Sequence, residues 1–175
     1  MTETNREIFT IHINGTIDAV WHEITKQGEP QQCFFNMQMH TPEKEPVPGS
    51  TLHMRSKSGK YTGAIGKILE FDPPRRFSHT FKFTHLDDPE CIVTYELEKA
   101  AVPEGGVEFR MILDNLPEGT KTAKQMKQGG TMIINTLKAM VENGKPSFGT
   151  RMLYMLFRLL EPLSPRKSLT SNWPL

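Results

Sequence analysis

Six histidines are the residues in this sequence best suited to acid–base or metal chemistry, and they lie at positions 12, 22, 40, 53, 79 and 85. They show neither the HxH nor the HExxH spacing of a zinc site. The two cysteines, Cys33 and Cys91, do not form a CxxC pair, which favours reduced structural thiols over a disulfide or a metal site. We therefore predict no metal site and no cofactor.

His79 is the histidine whose position predicts a role inside the protein. It shares strand parity with Phe77, Phe81 and Phe83, so its ring should face inward among aromatic side chains. A lone inward histidine is most often a hydrogen-bonded structural residue, and the alternative is a catalytic or ligand-orienting role. Tyr95, on a nearby predicted strand, completes the best polar pair that the sequence offers.

Motifs of enzyme chemistry are missing from the sequence. There is no GxSxG nucleophile elbow, no GxxxxGK phosphate loop and no dinucleotide fingerprint. Glu70, Glu96 and Asp114 fall on the parity opposite the apolar residues or at strand ends, so we expect them to be solvated. An assembled acid, base and nucleophile is not predicted, and a non-catalytic protein is favoured over an enzyme.

The bulk properties limit the class of partner. A chain of 175 residues is in the range of one domain with an ordinary core. Its formal net charge of +1 implies neither a nucleic acid nor an anionic membrane as a partner. No basic segment followed by an apolar run opens the chain, and no window reaches the ~18 apolar residues of a membrane span. These features predict a cytoplasmic protein.

Periodicity predicts an antiparallel sheet and two helices in the first part of the chain. Residues 6–13 alternate as a strand, Thr16 can cap a short helix that follows, and residues 31–37 suggest one more helical turn. After a proline-rich loop, apolar alternation between turn signals predicts five further strands, over 50–56, 61–71, 75–84, 90–98 and 106–114. In the second of these, over 61–71, Gly63 and Gly66 suggest a bulge or a sharp bend, and Pro73 and Pro74 end it.

A long helix should cover the apolar face of this sheet. Residues 121–143 carry an apolar stripe at steps of three and four, and Gly144 with Pro146 predicts the end of the helix. The simplest packing is an α+β fold in which a curved antiparallel sheet of about six strands surrounds the long helix.

The last part of the chain predicts an extra amphipathic helix. In "FGTRMLYMLFRLLEPL" the polar residues line one narrow face, and apolar side chains occupy the remainder. Such a helix should pack on its own domain or on a second subunit, because its polar face carries only two cations, too few to favour adsorption to a membrane. Pro162 should stop the helix, and we expect an extended end in which Trp173 anchors by its ring.

Four segments give the chain its family resemblance: "AVWHEIT" at 19–25, "GAIGKILEFDPPRRFSHTF" at 63–81, "CIVTYELE" at 91–98 and "INTLKAMVENGK" at 134–145. With the order of elements, they resemble the START-like superfamily, also called SRPBCC, and within it the family related to the activator of the 90-kilodalton heat-shock chaperone's ATPase. The resemblance implies a helix-grip fold over residues 1–145, followed by a C-terminal segment at 146–175. Members of the superfamily act as carriers, receptors, cyclases and chaperone co-factors.

The long helix departs from the family pattern. The family usually carries Gly-Trp near the start of this helix, whereas this chain has Gly129-Gly130. Two adjacent glycines cost about 1 kcal/mol each relative to alanine in a helix, so they need a reason. Close packing of the helix on the sheet and room for a ligand are both consistent with the pattern. Ten methionines and ten phenylalanines suit either an adaptable pocket or an irregular core.

These observations predict that the protein binds an apolar or amphipathic small molecule, such as a lipid, in an internal cavity without catalysing a reaction. The predicted ligand-binding residues are Met54, Phe77, His79, Phe81, Tyr95, Phe109, Met111, Met126, Gly130 and Ile133. The alternatives are a co-chaperone-like interaction module, a homodimer through the C-terminal helix, and an enzyme of the cyclase or dehydratase kind that uses His79 and Tyr95. The predicted partner-binding residues are Arg75, Arg76, Met152, Met155, Leu156 and Leu159.

Overall fold

The computed structural model describes residues 5–175, and a single antiparallel sheet dominates it. The eight strands are β1 (Glu7–Ile13), β2 (Pro30–Gln31), β3 (Met37–His40), β4 (Thr51–Arg55), β5 (Thr62–Asp72), β6 (Arg76–Phe83), β7 (Cys91–Lys99) and β8 (Val107–Asp114). Their order in the sheet is β1-β8-β7-β6-β5-β4-β3-β2. The sheet is therefore a meander from β2 to β8, with β1 added beside β8.

Three α-helices accompany the sheet: α1 (Ile17–Thr25), α2 (Lys121–Asn143) and α3 (Phe148–Leu160). Thr16 caps α1 by accepting a hydrogen bond from the Ala19 amide at 3.2 Å, and Thr120 does the same for α2 with Ala123. Gly144 ends α2 in the left-handed conformation, at φ 70°. These caps and bounds confirm the short helix and the long helix predicted from the sequence.

The core lies between the concave face of the sheet and α2. Alternate residues of the central strands are buried, as in β8, where Val107, Phe109, Met111 and Leu113 face inward. Ile134 and Leu137 of α2 are buried against this face. The arrangement is the predicted α+β helix-grip fold, with a long helix held by a curved sheet.

The strand count of about six was too low. The two additional strands, β2 and β3, lie in the segment before the proline-rich loop, where only a helical turn was predicted. That turn exists as a single 3-10 turn at Gln32–Phe34, and β3 follows it and pairs with β4 through Met39 and Met54. A two-residue and a four-residue strand carry too little alternation to be recognised by periodicity.

The predicted bend of β5 has a physical cause at Gly66. A Cβ atom there would overlap the carbonyl oxygen of Thr80 on β6, so only glycine permits this close approach of the two strands. The pairing of β5 with β6 shifts register between Ile68 and Glu70, which bends the strand. After Asp72, a Pro73-Pro74 corner leads into β6.

The chain after α3 returns along one end of the sheet. Pro162 lies in a 3-10 turn, Glu161–Leu163, and two more such turns follow at Arg166–Ser168 and Thr170–Asn172. The predicted extended end is therefore wrong. The Trp173 indole nitrogen donates a hydrogen bond to the Lys167 carbonyl at 2.7 Å, within the tail itself.

Polar contacts attach this tail to the loops of the sheet. The Thr170 amide donates to the Lys60 carbonyl at 2.9 Å, and the hydroxyl groups of Ser168 and Thr84 lie 2.9 Å apart. The Glu161 carboxylate accepts a hydrogen bond from Ser56 at 3.0 Å. Both ends of α3 are thus joined to the domain, the first through α2 and the second through the tail.

Candidate functional site

A cavity of about 380 Å³ lies between the concave face of the sheet and α2. Its inner end is formed by buried side chains of five strands, β3, β4, β6, β7 and β8, among them Met39, Met54, Phe77, Val93 and Met111. The size is within the range of small-molecule sites, about 300–1,000 Å³. The packing of sheet on helix therefore leaves room that the protein's own side chains do not fill.

The other end of the cavity is a mouth of partly exposed residues. It is bounded by Phe83 and His85 at the end of β6, by Gln125 and Gly129 on α2, and by Phe157 on α3. The Phe157 side chain lines the cavity although the residue is 44% exposed. The helix α3 consequently lies beside the opening.

Three polar side chains lie at the buried end. Gln31 is 0% exposed, and His79 and Tyr95 are 4% and 6% exposed. The rings of Phe77 and Phe109 lie against Tyr95, with centroids at 5.8 and 6.1 Å. His79 and Tyr95 are therefore held in an aromatic and apolar surrounding.

His79 and Tyr95 form a hydrogen-bonded pair. The Nδ1 atom of His79 lies 2.8 Å from the carbonyl oxygen of Thr80, and that oxygen can only accept, so Nδ1 carries the proton. Nε2 is then an acceptor, and the Tyr95 hydroxyl donates to it at 3.4 Å. Burial lowers the pKa of His79 to about 4 and raises the pKa of Tyr95.

This pair suits hydrogen bonding to a ligand better than proton transfer. A general acid or base works best with a pKa near the operating pH, and both groups are shifted away from neutrality. At pH 7 the imidazole and the phenol are uncharged. What the geometry provides is a fixed, neutral pair of polar groups in an apolar cavity.

Eight of the ten residues predicted to bind a ligand lie along this cavity. They are Met54, Phe77, His79, Phe81, Tyr95, Met111, Met126 and Ile133. They come from four strands and from α2, and strand parity together with the helical stripe was sufficient to bring them together. Their role in binding stays a prediction.

Phe109 and Gly130 do not line the cavity, which corrects their predicted place. Phe109 is fully buried beside Tyr95 in the solid part of the core. A Cβ atom at position 130 would overlap the ring of Phe9 on β1, so this glycine serves close packing of α2 on the sheet. Its neighbour Gly129 does line the cavity. Gly130 therefore fits the explanation by close packing of the helix on the sheet, and Gly129 fits the explanation by room for a ligand.

Sequence reasoning missed the part of the cavity wall between α1 and β4. Gln31, Phe34, Phe35, Met37 and Met39 all line the cavity, and they come from the short strands and the turn between them. The alternation of Met37 and Met39 spans only three residues, which is too short to identify β3 from the sequence. Gln31 offered no signal, because a buried glutamine cannot be told from a solvated one in a single sequence.

The corner arginines pair with carboxylates of the same domain. Arg75 contacts Asp72 at 3.0 Å, and Arg76 contacts Glu70 at 2.8 Å and also Glu96. The hydrogen bond and charge of Glu70 lead the interactions that raise the pKa of Arg76. The docking role of Arg75 and Arg76 stays a prediction. Their ion pairs give both residues a structural role at the corner.

The helix α3 leaves most of its apolar surface uncovered. The four predicted partner-binding residues, Met152, Met155, Leu156 and Leu159, are 48%, 54%, 48% and 71% exposed. Tyr154 is the buried residue of α3, and its hydroxyl donates a hydrogen bond to the Gln32 carbonyl. The sequence allowed α3 to pack on its own domain, and this packing accounts for Tyr154 and Phe157. It does not cover the exposed row, by which we mean Met152, Met155, Leu156 and Leu159.

Within residues 5–175, no three histidine, cysteine, aspartate or glutamate side chains come together in a way that could hold a metal ion. The helices of this same range include none that is long and apolar enough to cross a membrane.

Comparison with known proteins identifies a family that this chain matches. The family of activator of Hsp90 ATPase homolog 1-like proteins matches residues 14–142. No match was found among curated proteins.

Several solved structures share the fold at low sequence identity. The Aha1 dimer from Colwellia psychrerythraea is 17% identical, with a TM-score of 0.60 over 80% of this chain and 98% of that one. The Hsp90 activator PFC0360w from Plasmodium falciparum is 14% identical, with a TM-score of 0.57 over 81% and 97%. CalU16 from Micromonospora echinospora is 17% identical, with a TM-score of 0.58 over 87% and 83%. The chain belongs to the family of activator of Hsp90 ATPase homolog 1-like proteins, within the START-like superfamily.

Proposed function

We propose that this protein binds an apolar or amphipathic small molecule in the cavity between the sheet and α2, without catalysing a reaction. The observation that carries the proposal is the cavity of about 380 Å³, with an apolar wall and three polar side chains at its buried end. Lipids and other apolar metabolites fit this chemistry. The mouth beside Phe157 gives such a molecule a route from the surface.

A cavity-filling variant tests this proposal. Val93 is 2% exposed and lines the cavity, so Val93→Phe should place its ring in the empty space. In a filled core, the same change would overpack and cost about 1–3 kcal/mol of stability. We expect Val93→Phe to keep the melting temperature of the wild type and to lose binding of the neutral fluorescent probe N-phenyl-1-naphthylamine.

The control must separate the cavity from the exposed helix. Leu159→Ser alters the apolar surface of α3 and leaves the cavity wall unchanged, since Leu159 is 71% exposed. It should bind the probe as the wild type does. Wild-type protein that fails to bind the probe, or Val93→Phe protein that binds it unchanged, would contradict the proposal.

A second candidate function is self-association through α3. The exposed row of α3 continues into Leu160 and Leu163, which are 47% and 80% exposed, and contiguous apolar surface of this kind marks interaction sites. One structural neighbour was solved as a dimer, the Aha1 dimer from Colwellia psychrerythraea. We propose that a second copy of this chain covers the row.

Light scattering during size-exclusion chromatography tests the dimer. The double variant Met155→Glu and Leu159→Glu should run as a monomer where the wild type runs as a dimer, because it buries charge in the contact. The control Val102→Glu changes another exposed apolar residue, 45% exposed, in the loop between β7 and β8. A monomeric wild type would rule this interface out.

The chaperone-interaction alternative draws on the family resemblance. Its predicted face, Arg75 and Arg76, is engaged in ion pairs with carboxylates of the same domain. The exposed row on α3 therefore supports a protein contact better than the arginine corner does.

A further inference from the structure

The chemistry of the cavity limits the class of ligand. Its polar lining residues are Gln31, His79, His85, Tyr95 and Gln125, and in the part of the chain that the structure describes no lysine, arginine, aspartate or glutamate lines it. Of these five, Gln31, His79 and Tyr95 are buried, whereas Gln125 is exposed at the mouth and His85 is half-buried there. A ligand group that reaches the inner end meets neutral partners.

Gln31 presents a hydrogen-bond acceptor that has no partner. Its Nε2 atom donates to the carbonyl oxygen of Glu23 at 3.2 Å, and this contact fixes the orientation of the amide, because an oxygen placed there would face another acceptor. Its Oε1 atom is buried and makes no hydrogen bond with any of residues 5–175. A buried acceptor left unpaired costs about 1–3 kcal/mol.

The histidine–tyrosine pair presents a second acceptor. The proton on His79 Nδ1 is used by the Thr80 carbonyl, and the hydroxyl proton of Tyr95 is directed to His79 Nε2. What remains for a ligand is a lone pair on the Tyr95 oxygen. The pair therefore offers a ligand an acceptor, and it carries no cationic donor for a carboxylate because the imidazole is neutral at pH 7.

We infer that the ligand is a neutral apolar molecule that carries a hydrogen-bond donor, such as an alcohol, and that the inner end of the cavity receives this donor. This inference rests on the proposed function. A fatty-acid anion is disfavoured, because its carboxylate would be desolvated with no cation among the lining residues. A hydrocarbon without a donor would leave Gln31 Oε1 unpaired.

Three probes of matched length test the inference. We would measure how 1-decanol, 1-methoxynonane and decanoate displace N-phenyl-1-naphthylamine from the full-length protein at pH 7. The alcohol has a donor, the ether has the same chain without one, and the carboxylate is ionised. One net hydrogen bond in a buried site predicts that decanol binds about tenfold more tightly than the ether. Decanoate should bind more weakly than decanol.

Two variants assign the preference to the residues. Gln31→Met removes the unpaired acceptor with little change in side-chain length, and Tyr95→Phe removes the second acceptor. Either should reduce the alcohol-to-ether ratio, because it removes an acceptor that the alcohol can use and the ether cannot. Tyr95→Phe decides the matter if Gln31→Met does not fold.

The possible results separate a failure of this inference from a failure of the proposed function. Equal binding of alcohol and ether, tighter binding of decanoate, or a ratio unchanged in both variants would overturn the inference while leaving the cavity as a binding site. A wild-type protein that does not bind the neutral probe at all would overturn the proposed function and this inference with it.

Discussion

Replacing His79 should change how the stability of the protein depends on pH. Burial lowers the pKa of this imidazole from 6.5 to about 4, whereas in the unfolded chain the group titrates near 6.5. Below pH 6.5 the unfolded chain therefore binds a proton that the folded protein refuses. The contribution of His79 to the free energy of unfolding is complete above pH 6.5 and is lost as the pH falls towards 4.

The size of the effect follows from the shift. One pKa unit corresponds to 1.36 kcal/mol, so the change from 6.5 to about 4 is worth about 3 kcal/mol between pH 7 and pH 4. Urea denaturation at half-unit steps of pH would measure it. The free energy of unfolding of wild-type protein should fall by about 3 kcal/mol more over this range than that of His79→Gln.

A second histidine variant serves as the control. His22 is exposed on α1, so His22→Gln controls for the exchange of a histidine for glutamine outside the core. Comparing slopes removes the titration of the carboxylates, which all three proteins share, and also any constant cost of the substitution. Wild-type and His79→Gln curves that stay parallel from pH 7 to pH 4 would refute the burial of a neutral imidazole in this site.

The close approach of β5 to β6 predicts that Gly66→Ala lowers the free energy of unfolding by at least 2 kcal/mol, since its Cβ would meet the backbone of Thr80. Gly63→Ala should cost less in the same urea titration, because its Cβ would lie 2.6 Å from the mobile end of Met37; equal costs would contradict the packing described for the bend. The thiols of Cys33 and Cys91 should react slowly with Ellman's reagent in native protein at pH 8 and fully in urea, because both are buried and burial raises the pKa of each, to about 11 for Cys91. Rapid reaction of both thiols in the native protein would place them at the surface.

Most of the fold was predictable because its elements carry strong local signals. The helix at Lys121–Asn143 has a long apolar stripe with Thr120 before it and Gly144 after it, and the bounds follow from those residues. The five later strands alternate over eight residues or more in four cases, which is enough for period two to be recognised. The same parity placed His79 and its neighbouring phenylalanines on the inner face.

The features that could not be predicted depend on contacts between distant parts of the chain. Gln31 is buried by the packing of the short strands against α1, and the sequence around it does not show this. Gly129 and Gly130 differ only in which neighbour they meet, Phe35 or Phe9. The exposure of α3 was likewise not visible, because a helical apolar face predicts burial and leaves the covering partner undefined.

Native mass spectrometry of freshly purified protein tests most directly the claim that the cavity is a binding site. We expect the wild type to retain an apolar adduct, or to take up decanol on incubation, and Val93→Phe to do neither. A wild type that carries no added mass under both conditions, or a cavity-filled variant that carries the same adduct, would contradict the claim.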